Sequence, residues 1–179
     1  SRLLPTIRSR CQIHHFTPLT TEEVERFLRE RFHRPDDEIR LLAKLSSGRI
    51  GRTLEIDLSA YEEMRREAVE LLSLLACSNR VRLLRAAEYL GRRLSREEFE
   101  DRLDVLNILL DDLLRLILGV PLESLTNSDL AQRLSQLAKQ LTVEKIERLI
   151  SRFEAVRRDL QRNVNRHLAL EEVFLTEAA

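Results

Sequence analysis

"SREEFEDRLDVLNILLDDLLRLI", Ser95 to Ile117, decides the fold class. Ser95 stands three residues before Glu98, the spacing of a capping box, and Leu94 and Phe99 are placed as a hydrophobic staple. Phe99, Leu103, Leu106, Leu110, Leu113 and Ile117 recur at alternating steps of four and three, the period of a helix. Val105, Ile108, Leu109 and Leu114 widen the stripe, which predicts a central helix buried on more than one side. Gly119-Val120-Pro121 ends it.

Working outward, the same texture continues on both sides. Toward the C-terminus, Thr126-Asn127-Ser128-Asp129 predicts a helix start, with that helix running to about Leu141. Thr142 starts another, with Ile146, Leu149, Ile150, Phe153, Val156 and Leu160 inward, and the segment from His167 to Phe174 is apolar on one side. Toward the N-terminus, Asn79 to Tyr89 reads as a helix closed by Gly91. Tyr61 to Ala76 places Met64, Ala68, Leu71, Leu72 and Leu75 on one face. Before Ser59 the helical patterns are shorter. Thr20 and Glu23 form a second capping box with Leu19 and Val24 as staple, predicting a helix to about Phe32 with Val24, Phe27, Leu28 and Phe32 inward. Pro35 starts a second helix through Ile39, Leu42, Ala43 and Leu45, closed by Gly48, and a third carries Ile50, Leu54 and Leu58. The expected architecture is all-α: a three-helix unit near 1–58, then a five- or six-helix bundle near 59–179. No clear repeat period appears, which counts against a regular solenoid.

The composition agrees. A chain of 179 residues is long enough to bury about 68–70% of its unfolded surface without staples. Hydrophobic residues make up 43% and charged residues 34%, with four Gly and four Pro, and aromatics are only 4%, so Leu and Ile must fill the core. The 30 basic and 30 acidic side chains cancel, which argues against a nonspecific nucleic-acid sleeve. Cys11 and Cys77 are isolated, so zinc ligation is not expected, and the usage suits a reducing cytoplasm. No apolar run approaches the length of a membrane span. Without an initiating Met, the chain reads as a fragment or processed form of a longer protein.

Catalytic signatures are missing from these residues. There is no G-x-x-x-x-G-K-[ST] phosphate loop, no G-x-S-x-G and no H-E-x-x-H, and nothing pairs a nucleophile with a base, so no self-sufficient enzyme is expected. Adjacent His14 and His15 face opposite ways on an extended chain, and His33 and His167 stand alone, so no metal site is expected. Glu62-Glu63, Asp111-Asp112 and Glu171-Glu172 read as solvated helix faces. Arg152, Arg157, Arg158, Arg162 and Arg166 offer a phosphate-binding face, but an exposed helix end whose cations suit the C-terminal dipole is favoured. The other basic feature is "LLPTIRSRCQ", Leu3 to Gln12, which carries Arg8 and Arg10 and no acid. Two residues apart, these arginines share a side of an extended chain, and a guanidinium can grip a phosphate bidentately. On chemistry alone, a surface arginine that pairs with a distant carboxylate ranks higher.

Three stretches carry a resemblance. "LLPTIRSRCQ" resembles the end of the AAA+ ATPase module in clamp-loader subunits, with Ser9-Arg10-Cys11 matching their "SRC" signature. "SSGRIGRTLEI", Ser46 to Ile56, resembles the glycine-containing step of the lid domain that follows. "NVNRHLALEEVFL", Asn163 to Leu175, resembles the "NxNxRLALE" ending of the bacterial collar domain. Together these span nearly the whole chain in the family's order, and they are most similar to the delta prime type of the bacterial DNA polymerase III clamp loader, with gamma/tau second. The resemblance implies that Arg10 is an arginine finger supplied in trans to ATP on a neighbouring subunit, with Ser9 and Cys11 setting its backbone. Such fingers are worth roughly 10³–10⁵ in rate. It implies a lid near 1–58 with Gly48, Gly51 and Arg52 close to nucleotide, and a collar near 59–179 that holds a ring of five. The implied partners are the gamma/tau and delta subunits and, through the complex, the sliding clamp and primed DNA; no cofactor is implied in this fragment itself. The whole would belong to a nucleotidyltransferase holoenzyme.

Two departures refine the expectation. ATP-hydrolysing members carry an arginine in the lid pattern G-S-L-R-D-A-L, where this chain has Gly51; Arg52 falls one residue late, about 100° round a helix. That favours a stator of the delta prime type over a gamma/tau motor. His167 stands where the family has its arginine, and Arg166 where proline is common. The competing readings are a gamma/tau-type ATPase fragment and an unrelated helical interaction module.

Overall fold

Side-chain caps mark where six of the described α-helices begin. The computed structural model of the chain describes residues 17–160 and 164–178, and among them are nine α-helices and no strand. The chain divides into two compact units, residues 1–56 and 57–179.

In the first unit, α1 spans Thr21–Arg31, α2 Asp36–Ser46 and α3 Ile50–Glu55. The Thr20 hydroxyl accepts from the Glu23 N–H at 3.2 Å, and the Thr20 N–H donates to Glu23 Oε2 at 2.8 Å, so the capping box is complete. Asp36, Asp37 and Glu38 fill the first turn of α2, where they complement the helix dipole. Val24, Leu28, Ile39, Leu42, Ala43 and Leu45 form the core. Phe27 and Phe32 are only partly buried and meet edge-on at 6.4 Å between centroids. The third helix departs from expectation. It buries Thr53, whose hydroxyl donates to the Ile50 carbonyl at 2.6 Å, while Leu54 is 64% exposed. At six residues it is under two turns, too short for an apolar period to define a face. Leu58 belongs to the next helix, because Asp57 caps it by accepting from the N–H groups of Ser59 and Ala60. The Ser59 hydroxyl and these amides hold the Asp57 carboxyl below its ordinary pKa.

The second unit contains α4 (Leu58–Ala76), α5 (Arg80–Glu88), a π-helical turn (Tyr89–Arg93), α6 (Arg96–Ile117), α7 (Ala131–Ala138), α8 (Val143–Asp159) and α9 (Arg166–Glu177). The quoted helix α6 is central and packs against α4, α7 and α8, while α9 packs on α5, α8 and the π-turn. Phe99, Leu103, Leu106, Leu109, Leu110 and Leu113 are all buried, each worth roughly 1.5–3 kcal/mol of apolar transfer. Phe153 of α8 meets Phe174 of α9 edge-on at 6.3 Å between centroids. Gly91 does not close a helix. It lies inside the π-turn, where a Cβ would stand 2.6 Å from His167 N, so only glycine allows this approach. The expected helix from Thr126 to Leu141 is shorter, with a 3₁₀ turn at Ser128–Leu130 before α7. Its cause is Asn127, whose side chain is buried and bonded elsewhere instead of capping a helix.

Candidate functional site

The glycine-containing step from Ser46 to Ile56 is a tight turn followed by α3. Ser47 is left-handed at φ 50° and Gly48 follows at φ 76°. The Leu19 N–H donates to the Gly48 carbonyl at 3.0 Å. A Cβ on Gly48 would stand 2.8 Å from both Leu19 N and Pro18 Cβ and would overlap the Leu19 carbonyl oxygen. Gly48 is therefore required twice, by its φ and by the close passage of the Pro18–Leu19 segment. Gly51 differs: it is exposed, and nothing lies within 4 Å of the position its Cβ would take. The Arg52 N–H donates to the Arg49 carbonyl at 3.0 Å, and both guanidinium groups face solvent with no ion pair to a described residue. So Gly48, Gly51 and Arg52 lie together on one exposed step with Arg49 as a second cation. Ser9, Arg10 and Cys11 lie outside the described residues, as do Cys11's neighbours His14 and His15.

A second constellation lies inside unit 2. Asp112 is not solvated; it is fully buried. Its carboxylate accepts from the Thr126 N–H, the Asn127 N–H and the Asn127 side-chain amide, each at 2.8 Å. Asn127 Oδ1 in turn accepts from the Tyr61 hydroxyl at 2.9 Å and from Arg65 at 3.4 Å. Arg65 also pairs with Asp129 at 2.9 Å and lies 5.8 Å from the Tyr61 ring centroid. Burial pushes the Tyr61 hydroxyl up to about 12, against the bond to Asn127 and the charge of Arg65. This cluster holds no nucleophile and base pair. It fastens the connection between α6 and α7 to α4 and α6. A sequence signal for it existed: Val105, Leu109 and Asp112 share one face at helical spacing, whereas Asp111 pairs with exposed Arg115.

Of the C-terminal arginines, Arg152, Arg157 and Arg166 are engaged locally. Arg152 pairs with buried Glu177 at 3.0 Å, and Arg157 pairs with Asp104. Arg166 donates to the carbonyls of Leu94 and Ser95, each at 2.9 Å, and lies 5.4 Å from the Phe99 ring centroid. Arg158 is exposed, and Arg162 lies outside the described residues. Arg152, Arg157 and Arg166 are thus held by intramolecular ties. His167 is a core histidine, with Nδ1 at 3.4 Å from Arg92 and Nε2 at 3.3 Å from Glu171. Glu171 is therefore not simply solvated, whereas Glu62, Glu63 and Glu172 are exposed. Cys77 is exposed after α4. Among the described residues no group of three or more His, Cys, Asp or Glu is placed to hold a metal ion. No described helix is long and apolar enough to cross a membrane.

No curated protein matches the chain. Residues 52–177 match the sequence model of a family described as DNA polymerase III, delta subunit, C terminal. The match begins at Arg52 and covers every element from α4 to α9; Arg10, Gly48 and Gly51 precede it. The chain belongs to this family of clamp-loader subunits of DNA replication.

Proposed function

We propose that this member of the DNA polymerase III delta-subunit family is the lid and collar part of a clamp-loader subunit of the delta prime type. The observation that supports the clamp-loader part of this reading is the delta-subunit family match over residues 52–177, which takes in the whole helical bundle. In this reading unit 2 is the collar that assembles the ring with gamma/tau and delta subunits. The loader then acts on the sliding clamp and primed DNA. Unit 1 is the lid. Arg10 reaches ATP on the neighbouring subunit and stabilises charge on the transferring phosphoryl group. Ser9 and Cys11 set its backbone. The delta prime assignment is supported by the "SRC" residues and by Gly51, which occupies the place of the lid arginine of the hydrolysing members.

Chemistry makes the division of labour reasonable. A guanidinium presents five donors in a rigid fork and keeps its charge, so it can serve a site it does not itself build. Arg49 and Arg52 on the exposed lid step offer two further cations to phosphate, which Gly51 at the aligned position does not.

The test is reconstitution of the loader with Arg10→Ala in the full-length subunit. DNA-stimulated ATP turnover by the wild-type neighbours is expected to fall by about 10³-fold or more, with assembly retained. Unchanged turnover and clamp loading would remove the role assigned to Arg10.

A further inference from the structure

The bundle of unit 2 contains a cavity of about 340 Å³ that neither the polar cluster nor the lid step uses. It enters between α4, α5 and α6 and reaches the core. Its floor includes Leu103, Leu106, Phe153, Leu170 and Phe174, all buried. Leu71, Leu74 and Ala86 line its walls, and Tyr89 and Leu90 of the π-turn close one side. That side is fixed in place, because Gly91 abuts the His167 backbone too closely for any side chain. π-Helical turns of this kind concentrate at functional sites.

The lining dictates what fits. An apolar cavity does not hold water well, and unfilled space forfeits dispersion contacts, so the matching occupant has an apolar body. The mouth is charged. Glu67 is paired with Arg102 at 2.8 Å, and Glu70 is paired with Arg82. Both acids are thereby neutralised. Arg85 stands at the same mouth, exposed, with no ion pair or hydrogen bond from its side chain to a described residue, whereas the Tyr89 phenol already acts on the charge of Arg102. An unengaged guanidinium at the rim is matched by a carboxylate. At the small end of the roughly 300–1,000 Å³ range of ligand cavities, the space suits one or two bulky side chains.

We infer that this cavity seats a bulky apolar side chain, flanked by a carboxylate, from a segment of another clamp-loader subunit. The inference rests on the family assignment and on the proposed assembly role of unit 2. The binding mode is that of an apolar anchor laid into a groove between helices, with the charge at the rim selecting the partner.

The probe is anilinonaphthalene sulfonate, an apolar anion that fluoresces when removed from water. The full chain is expected to bind one equivalent. Ala86→Trp, which fills the cavity, removes binding; Arg85→Ala weakens it several-fold with helicity unchanged. Adding the other loader subunits releases the probe, and Ala86→Trp weakens assembly by about ten-fold or more. Leu74→Phe, a smaller filling, replaces Ala86→Trp should the latter lose helicity. Three results overturn the inference: no probe binding by the folded wild type, a probe retained through assembly, or filled variants that assemble like wild type. A retained probe would mark a small-molecule site instead. Probe lost as the concentration of the chain alone rises would assign the cavity to a second copy and also overturn it. Failure of the wild type to assemble at all removes the functional reading and this inference with it, whereas assembly with the probe still bound removes this inference alone.

Discussion

The two units fix their helices by different means. Unit 1 relies on backbone and near neighbours: the Leu19 N–H on the Gly48 carbonyl, the Thr20–Glu23 box, and pairs such as Arg34–Glu38 four residues apart. Unit 2 relies on side chains that meet across long stretches of sequence. Tyr61 reaches Asn127, Arg102 reaches Glu67 and the Lys145 ammonium donates to the Leu75 carbonyl at 3.1 Å. The difference follows from element length. Short helices expose most of their surface and are positioned by their turns, whereas long ones enclose a core deep enough to bury an acid. Unit 1 should therefore break at a glycine and unit 2 at a buried polar side chain.

The largest expected effect tests unit 2. Asp112→Ala leaves three N–H donors on Thr126 and Asn127 without an acceptor in a buried site. Each such group costs roughly 1–3 kcal/mol, so a loss of about 3 kcal/mol or more is expected in urea unfolding of the full chain. A loss below about 1 kcal/mol would mean that the cluster does not fasten the α6–α7 connection.

The next tests unit 1 and sharpens the contrast between its two glycines. Gly48→Ala is expected to destabilise unit 1 by about 2 kcal/mol, since both the φ and the passage of Leu19 forbid a Cβ. Gly51→Ala meets open space in a helix and is expected to stabilise by about 0.5 kcal/mol. Amide exchange in α2 and α3 reads both. Equal effects at the two positions would dissolve the distinction.

A pH experiment separates the units further. The Tyr61 hydroxyl is held near 12 in the fold against an ordinary value of 10.0. A raised pKa means that the native state retains the proton longer than the unfolded state, so stability is complete below about pH 10 and falls as pH rises toward 12. Tyr61→Phe removes the group that titrates, and the alkaline decline of unit 2 between those limits should flatten. The same decline in both proteins would assign it to other groups. Smallest of all is Arg34→Ala on the surface of unit 1, expected to change stability by less than about 0.5 kcal/mol in a thermal melt. A larger loss would show that unit 1 depends on its exposed ion pairs.

Much of the fold was legible because its determinants are local. The period of α6, the capping boxes at Thr20 and Ser95, and the caps at Asn79 and Thr142 all sit within a few residues of what they control. What escaped was long-range or too short to show a pattern. Asp112 looks like its neighbour Asp111 in sequence, and the groups that satisfy it lie 14 and 15 residues on, with Tyr61 a further link 66 residues before Asn127. Leu54 was expected inward because a six-residue helix offers no second turn to check the face. Gly48 was legible as the residue that closes α2, but the Pro18–Leu19 segment that crowds it lies far off in sequence. The assignment of Arg10 came from resemblance, since no property of an arginine in a short acid-free stretch names its partner.

The measurement that bears most directly on the whole is assembly. The full chain is mixed with the other subunits of its clamp loader and the mass is followed by size-exclusion chromatography with light scattering. The expected result is a stable hetero-assembly that contains the chain and loses it when the cavity of unit 2 is filled. A folded chain that elutes alone from every such mixture would contradict its role as a clamp-loader subunit.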